Sequence, residues 1–391
     1  MCHHLLMAWR RIGRWTVALA LLVTGLAALV PAHAAGGGVT GPVSIRGNQL
    51  VDGAGRPLTL RGVNRGFEQF PGGIWPDFQP TAPYDESDIA QIKADHVNVV
   101  RIAVGSQFWL PDQPPCTNND AAYQSEIDEV VNWVTSRRMV ALIDLHTEVP
   151  AGYPCYSAGH YPLLPMPDAT AVPFWVSVAE RYKANPLVAF ELFNEPHDVS
   201  AQVWADGGTI TGVDGPFEAI GMKTLVSAIR EIATNLIVVD SDDYAGDPSS
   251  IEAQPLAGVD VAYAEHLYTC TDAPPNCSVP DYYSPAAAVD EWAPVRKLHP
   301  VLMTEFGWPD RRDPTFFANV IAGMEGATQP YAGWMAYTWA GPRGNEPGAD
   351  RFGVFSDWQY ASCTASTCQT RYEYPAGGAV SALMAGWARN T

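Results

Sequence analysis

The sequence predicts an α/β fold, a closed (β/α)8 barrel of the TIM type, with a short N-terminal β-hairpin and long βα loops. Three observations lead there. Eight short apolar runs recur along the chain, and amphipathic stretches separate most of them. That is the pattern of a parallel sheet with helices outside it. Eight is also the number of strands that closes such a sheet on itself. Finally, 47% of the residues are hydrophobic, enough for a chain of this length to bury one large core. An open, doubly wound sheet is the rival architecture, but no Gly-rich phosphate loop follows the first strand.

The elements follow in chain order. Arg10, Arg11 and Arg14 precede the apolar run "WTVALALLVTGLAALV", and the small-residue site "AHA" ends at Ala34. This is the layout of a secretory signal peptide, so residues 1–34 are expected to be removed. The run is short for a membrane span; an uncleaved anchor is the alternative. Gly36 to Gly38 then lead into a single catalytic domain, 35–391. The segment "VSIRGNQLVDGAGRPLTLRGVN" alternates between apolar and polar residues, with turn signals at Gly47-Asn48 and Asp52-Gly53, and predicts the hairpin. Barrel strands are predicted at 58–63, 97–102, 140–145, 188–193, 236–239, 261–265, 301–304 and 333–338. Helices are predicted at 86–95, 121–137, 172–183, 215–233, 285–298, 314–325 and 378–388, with a weak one near 249–254. No linker and no second composition regime suggests an appended binding module.

Charge excludes some partners. The net charge of −19 becomes −22 once the three leader arginines are gone. Such a chain repels nucleic acid and anionic lipid. A secreted, extracellular monomer with no membrane contact after leader cleavage is expected. Removal of Cys2 leaves Cys116, Cys155, Cys270, Cys277, Cys363 and Cys368. An even count in an exported chain argues for disulfides. Cys270–Cys277 and Cys363–Cys368 are the economical local pairs, which leaves Cys116–Cys155. Metal ligation is the rival use, and no Cys-x-x-Cys or Cys/His cluster supports it. All six fall in predicted loops on one face of the barrel, where disulfides would stiffen those loops.

In a barrel of this kind the active site lies at the C-terminal ends of the strands. Here those ends are polar. The second ends in "NVVRIAV" with Arg101, the third in "ALIDLH" with His146 and the fourth in "ELFNEP" with Asn194 and Glu195. The sixth ends in "YAEHLY" with His266 and Tyr268, the seventh in "VLMTEFG" with Glu305 and the eighth in "AYTWAG" with Trp339. One polar residue at a strand end is usually a side chain leaving the core. Six strands out of eight delivering Arg, His, Asn, Glu, Tyr and Trp to one rim is not explained that way. Two carboxylates on different strands facing one cleft are what glycoside hydrolysis needs: one to protonate the leaving oxygen, one to attack or to activate water. Arg101 would favour ionised Glu305, and apolar surroundings would favour protonated Glu195. Trp339 offers a flat face for a sugar ring. Trp75, Trp109, Trp204 and Trp308 are further rim aromatics, with packing as their plainer role. Glu191 and Glu265 read as structural, and Asp240, Asp242, Asp243 and Asp247 as a solvated loop.

With these residues in place the chain resembles glycoside hydrolase family 5, the cellulase family, from "LRGVN" at 60–64 through "YTWAG" at 337–341. Its most specific pieces are "FNEP" at 193–196 and "TEFGW" at 304–308. The resemblance implies a (β/α)8 barrel, no cofactor or metal, and retention of anomeric configuration. It makes Glu195 the general acid/base and Glu305 the nucleophile. Asn194 would contact the sugar 2-hydroxyl, and Arg101 and Tyr268 would position the nucleophile. His146 and His266 would line the cleaved-sugar subsite, and Trp339 would lie beneath that sugar. Pro196 is expected to end the strand so that Glu195 stays at its edge.

The resemblance implies a β-linked polysaccharide or oligosaccharide as substrate. Endo-β-1,4-glucanase comes first and β-mannanase second. The long insertion at 147–168 could narrow the cleft for exo action, and glycolipid glycans lie within the family's range. A non-catalytic carbohydrate-binding barrel is the alternative from another class; it would lack one of the acids, and both are present. A metal-dependent hydrolase would need more histidine than His146 and His266 supply.

Overall fold

The computed structural model describes residues 38–65, 86–111, 120–148, 164–212, 215–256, 261–268, 291–307, 314–337 and 339. Before the barrel come β1 (Ser44–Arg46), β2 (Gln49–Val51) and β3 (Pro57–Leu58), an antiparallel three-stranded sheet in the order β1-β2-β3. The expected hairpin is thus its first two strands. The barrel strands are β4 (Leu60–Arg65), β5 (Val99–Gly105), β6 (Val140–Thr147) and β7 (Val188–Glu191), then β10 (Ile237–Asp240), β11 (Val261–Tyr268), β12 (Val301–Gly307) and β13 (Gly333–Ala336). Every neighbouring pair is parallel, and β13 pairs with β4 to close the ring. All eight expected strands are present, displaced by a few residues at their ends.

The barrel interior is graded. Its lower half is apolar: Leu60, Val99, Val140, Leu142, Ala189, Val238, Ala262, Leu302 and Met335 cluster there, and Val39, Val43 and Leu50 from the N-terminal segment close it from below. Its upper half is polar and holds the site. A separate, larger core fills the space between strands and helices. The helix Ala171–Tyr182 shows how it forms. Ala171, Phe174, Trp175, Val178, Ala179 and Tyr182 are buried, the three-and-four spacing of a core-facing stripe. Each large apolar side chain so covered contributes about 1.5–3 kcal/mol.

One element departs from expectation. A helix is predicted over 215–233, but helix forms only at Met222–Arg230. Gly215–Ile220 is instead a strand, β9, paired antiparallel with β8 (Gly207–Gly212). The segment "GGTITG" carries three consecutive β-branched residues, Thr209, Ile210 and Thr211, which suit a strand. Gly207, Gly208 and Gly215 take φ of 81°, 145° and 115°, open to glycine at little cost and incompatible with a helix. The helix begins directly after Gly221.

Irregular pairing near the strand ends sets up the site. In β11 and β12 the register steps from Glu265 opposite Met303 to His266 opposite Glu305, skipping Thr304. A bulge of this kind re-aims the side chains beyond it. Here it sets Glu305 across from His266. Among the described residues no helix is long and apolar enough to cross a membrane.

Candidate active site

Arg101, on β5, is the centre of the site. It is 1% exposed, and a charge so deep must be paired. Its Nε donates to Glu191 Oε2 at 2.6 Å, and its Nη2 donates to Asn194 Oδ1 at 2.9 Å and pairs with Asp144 Oδ2 at 3.0 Å. Its Nη1 donates to Asn64 Oδ1 at 3.0 Å and forms an ion pair with Glu305. One planar guanidinium thereby ties β4, β5, β6, β7 and β12 together. Asn64 adds a bond from its Nδ2 to the Thr304 carbonyl at 2.8 Å.

Glu305 is 4% exposed. Burial alone would push its carboxyl up. The opposing charges of His266, Arg101 and His146 and the Tyr268 hydroxyl outweigh burial and hold it at about 2. Tyr268 Oη donates to Glu305 Oε2 at 2.5 Å. Burial and the Glu305 charge raise the Tyr268 pKa well above that of an ordinary phenol, so the hydroxyl remains a donor at neutral pH. His146 Nδ1 sits 2.7 Å from Asp144 Oδ2 and 4.0 Å from Glu305 Oε1. Burial opposes a charge on this imidazole, but Asp144 and Glu305 prevail and its pKa is raised.

Glu195 is the more open carboxylate, with 29% of its side chain exposed. Its Oε1 lies 2.9 Å from His266 Nδ1, and its surroundings are polar where an apolar pocket was expected. His266 is buried, and its Nε2 contacts Thr304 Oγ1 at 3.0 Å. Carboxylate oxygens of Glu195 and Glu305 lie within 4.8 Å of each other, with His266 between them.

Pro196 is not what ends the strand. Ladder pairing stops at Glu191, and Glu195 takes φ of 53°. That left-handed conformation costs a non-glycine residue of order 1 kcal/mol or more. The Glu195 N–H donates to Asp240 Oδ2 at 3.0 Å.

Asp240 itself corrects the expectation of a solvated acidic loop. It is the last residue of β10 and is fully buried. Burial and nearby Glu191 push it well above the usual carboxylate range. Glu191, expected to be structural, is buried and holds Arg101; Asp144, with the same partner, is not among the expected site residues. The signal for all three was a charged residue inside an apolar run, which demands a buried partner.

Trp339 is anchored by its backbone N–H to the backbone carbonyl of Asn64 at 2.8 Å and is 2% exposed. Trp109 and Trp204 belong to the outer core: Trp109 Nε1 donates to Ser177 Oγ at 3.0 Å and Trp204 Nε1 to the Asp240 carbonyl at 2.9 Å. Trp75, Trp308, the six cysteines and residues 1–34 lie outside the described residues.

Among the described residues, two groups bring ligand atoms of a type that binds cations within 4.8 Å of one another: Glu191, Asp240 and His266, and Glu195, His266 and Glu305. Arg101 already binds a carboxylate of each and supplies the balancing charge there.

Among curated relatives, Endoglucanase Z of Dickeya dadantii is 25% identical over 59% of this chain and 46% of its own. Endoglucanase E-5 of Thermobifida fusca is 23% identical over 68% of this chain and 48% of its own. The chain thus spans about half the length of these two. Endoglycoceramidase I of Rhodococcus hoagii is 24% identical over 77% of this chain and 68% of its own. In solved structures, a β-glucanase from Saccharophagus degradans matches with a TM-score of 0.64 at 18% identity, over 90% of this chain and 94% of that one. The catalytic domain of a Thermobifida fusca endoglucanase matches with a TM-score of 0.58 at 17% identity, over 88% and 97%; it has also been solved in complex with cellotetraose. At such identities the structures establish the barrel. Membership rests on a match to Cellulase (glycosyl hydrolase family 5) that runs from residue 51 to residue 341 and takes in every barrel strand from β4 to β13: the chain belongs to glycosyl hydrolase family 5.

Proposed function

We propose that this chain is a secreted endo-β-1,4-glucanase that retains anomeric configuration. The spacing of the two carboxylates carries the reading. One oxygen of each lies within 4.8 Å of the other, a close approach that favours the arrangement of retaining enzymes, with carboxyl groups about 5–5.5 Å apart, over the about 6.5–9.5 Å that inverting ones leave for a water.

The environment of Glu305 supports its role, and Glu195 takes the complementary one. Glu305, held at about 2 by its neighbours, is the ionised nucleophile. It attacks the anomeric carbon as the bond to the leaving oxygen breaks, and protonated Glu195 gives that oxygen its proton. A glycosyl-enzyme forms on Glu305. Glu195, now a carboxylate, takes a proton from water. The water oxygen displaces Glu305, which leaves as a carboxylate, and Glu195 is again protonated. Asn194 has its carbonyl committed to Arg101, which leaves its –NH2 to donate to a sugar hydroxyl. The endoglucanase relatives and the apolar leader at residues 1–34 support the substrate class and the secretion.

Product analysis on β-glucan and β-mannan polymers, with the parent and Glu305→Ala, tests the reading. Hydrolysis of a β-1,4-glucan to products of initial β-configuration, lost in the variant, is expected. A variant with full activity overturns the assignment of Glu305. Glycolipid glycans are the second reading, favoured by the extent of the match to Endoglycoceramidase I. Release of an oligosaccharide from a glycosphingolipid, with polymers left intact, would select it.

A further inference from the structure

We infer that Asp240 is a positioning residue for the general acid/base, holding Glu195 from the backbone side while His266 holds its carboxylate. This rests on the assignment of Glu195 proposed above.

Two hydrogen bonds and one longer approach link the three residues. Asp240 Oδ2 accepts the Glu195 N–H at 3.0 Å. The Glu195 carboxylate reaches His266 Nδ1 at 2.9 Å. The far nitrogen of that imidazole, Nε2, lies 3.7 Å from the same Asp240 oxygen. One carboxyl oxygen therefore bears on both the amide and the side-chain partner of one residue.

Glu195 requires such support. At φ of 53° its backbone sits in a region that side chains avoid, and such a conformation persists only when its surroundings over-determine it. Its carbonyl accepts from His197 Nδ1 at 2.9 Å, and the Pro196 carbonyl accepts from the Tyr244 N–H at 3.0 Å. Both bonds brace the turn beyond Glu195. The bond to Asp240 fixes it at the N–H. Asp240 is rigid in turn: it ends a barrel strand, it is fully buried, and its own carbonyl is clamped by Trp204 Nε1 at 2.9 Å. Burial beside Glu191 favours the neutral carboxyl, and a neutral carboxyl still accepts an N–H bond.

A misaimed acid has a kinetic signature. Departure of a poor leaving group needs its proton, whereas a 2,4-dinitrophenolate leaves without one. The test compares kcat/KM for a 2,4-dinitrophenyl and a methylumbelliferyl β-cellobioside in the parent, Glu195→Ala, Asp240→Ala and Asp240→Asn. Asp240→Ala is expected to lose roughly 10–100-fold on the poor leaving group and less than about threefold on the dinitrophenyl substrate. Asp240→Asn, which keeps an acceptor for the amide, is expected to restore most of the loss. Should the alanine variant not fold, Asp240→Ser, too short to reach the amide, carries the same comparison. Equal losses on both substrates, or no loss, overturn the inference. If Glu195→Ala shows no leaving-group dependence, the assignment of Glu195 fails and takes the inference with it; a parent that cleaves neither cellobioside overturns the glucanase reading instead, and the same comparison is then made on the aryl glycosides of the glycan it does cleave.

Discussion

Glu265 is a buried acid with no part in the chemistry, and it should govern how stability depends on pH. It sits on β11, 1% exposed, on the opposite side of the strand from His266. Tyr331 Oη donates to its Oε2 at 2.5 Å, and Arg296 Nη1 donates to that hydroxyl at 3.0 Å. Burial dominates, and despite Tyr331 and Arg296 the carboxyl is raised from 4.5 to about 8. The sign follows. Between those values the unfolded chain has released this proton and the folded chain keeps it, so folding stability falls as pH rises. At ~1.4 kcal/mol per pH unit, the loss reaches about 3 kcal/mol by pH 7 and about 4 kcal/mol by pH 8. Glu265→Gln has the same shape and cannot ionise. Chemical denaturation of both proteins from pH 5 to pH 8 should show the variant gaining on the parent by about 1 kcal/mol or more per unit. Parallel pH profiles, or a variant less stable than the parent at pH 7, would refute the reasoning.

Other perturbations address the site. Tyr268→Phe removes a hydrogen bond to an ionised group, worth roughly 1.5–3 kcal/mol. The Glu305 carboxyl should rise from about 2 by roughly one to two pH units, so that as pH falls the variant loses the ionised form of the proposed nucleophile sooner; the acid limb of kcat/KM reports this. Arg101→Met leaves Asp144, Glu191 and Glu305 buried without their cation and should cost about 3–5 kcal/mol in denaturant titrations; a loss under about 1 kcal/mol would contradict the pairing described. Glu305→Ala should lower kcat by at least about 10⁴-fold, and azide should restore turnover as a glycosyl azide of inverted configuration, identified by NMR.

How much of this was legible depends on the range of the contact involved. The barrel strands were readable because their apolar runs are local, and the rim residues because a polar residue at the end of such a run stands out. Arg101 was visible as a rim residue, but its partners were not. Glu191 lies 90 residues away and Glu305 lies 204 away, and only closure of the barrel brings them to one guanidinium. Asp240 was hidden by its neighbours in sequence. Asp242, Asp243 and Asp247 follow it into a turn, and the group looks like one solvated loop. The strand boundary falls just after Asp240 and puts it alone in the interior. The turn at Glu195 was hidden for a different reason. A left-handed residue is usually signalled by glycine or asparagine, and here it is a glutamate. The sequence offers no local preference for that conformation. The N–H of Glu195 donates to an aspartate at the end of a strand 45 residues further along, and that bond supports the conformation. The strain at Glu195 and the burial of Asp240 are therefore one feature, since neither is favourable without the other. The position that sequence reasoning explained wrongly, through Pro196, is also the one where the fold sacrifices local preference to place the carboxylate proposed as proton donor.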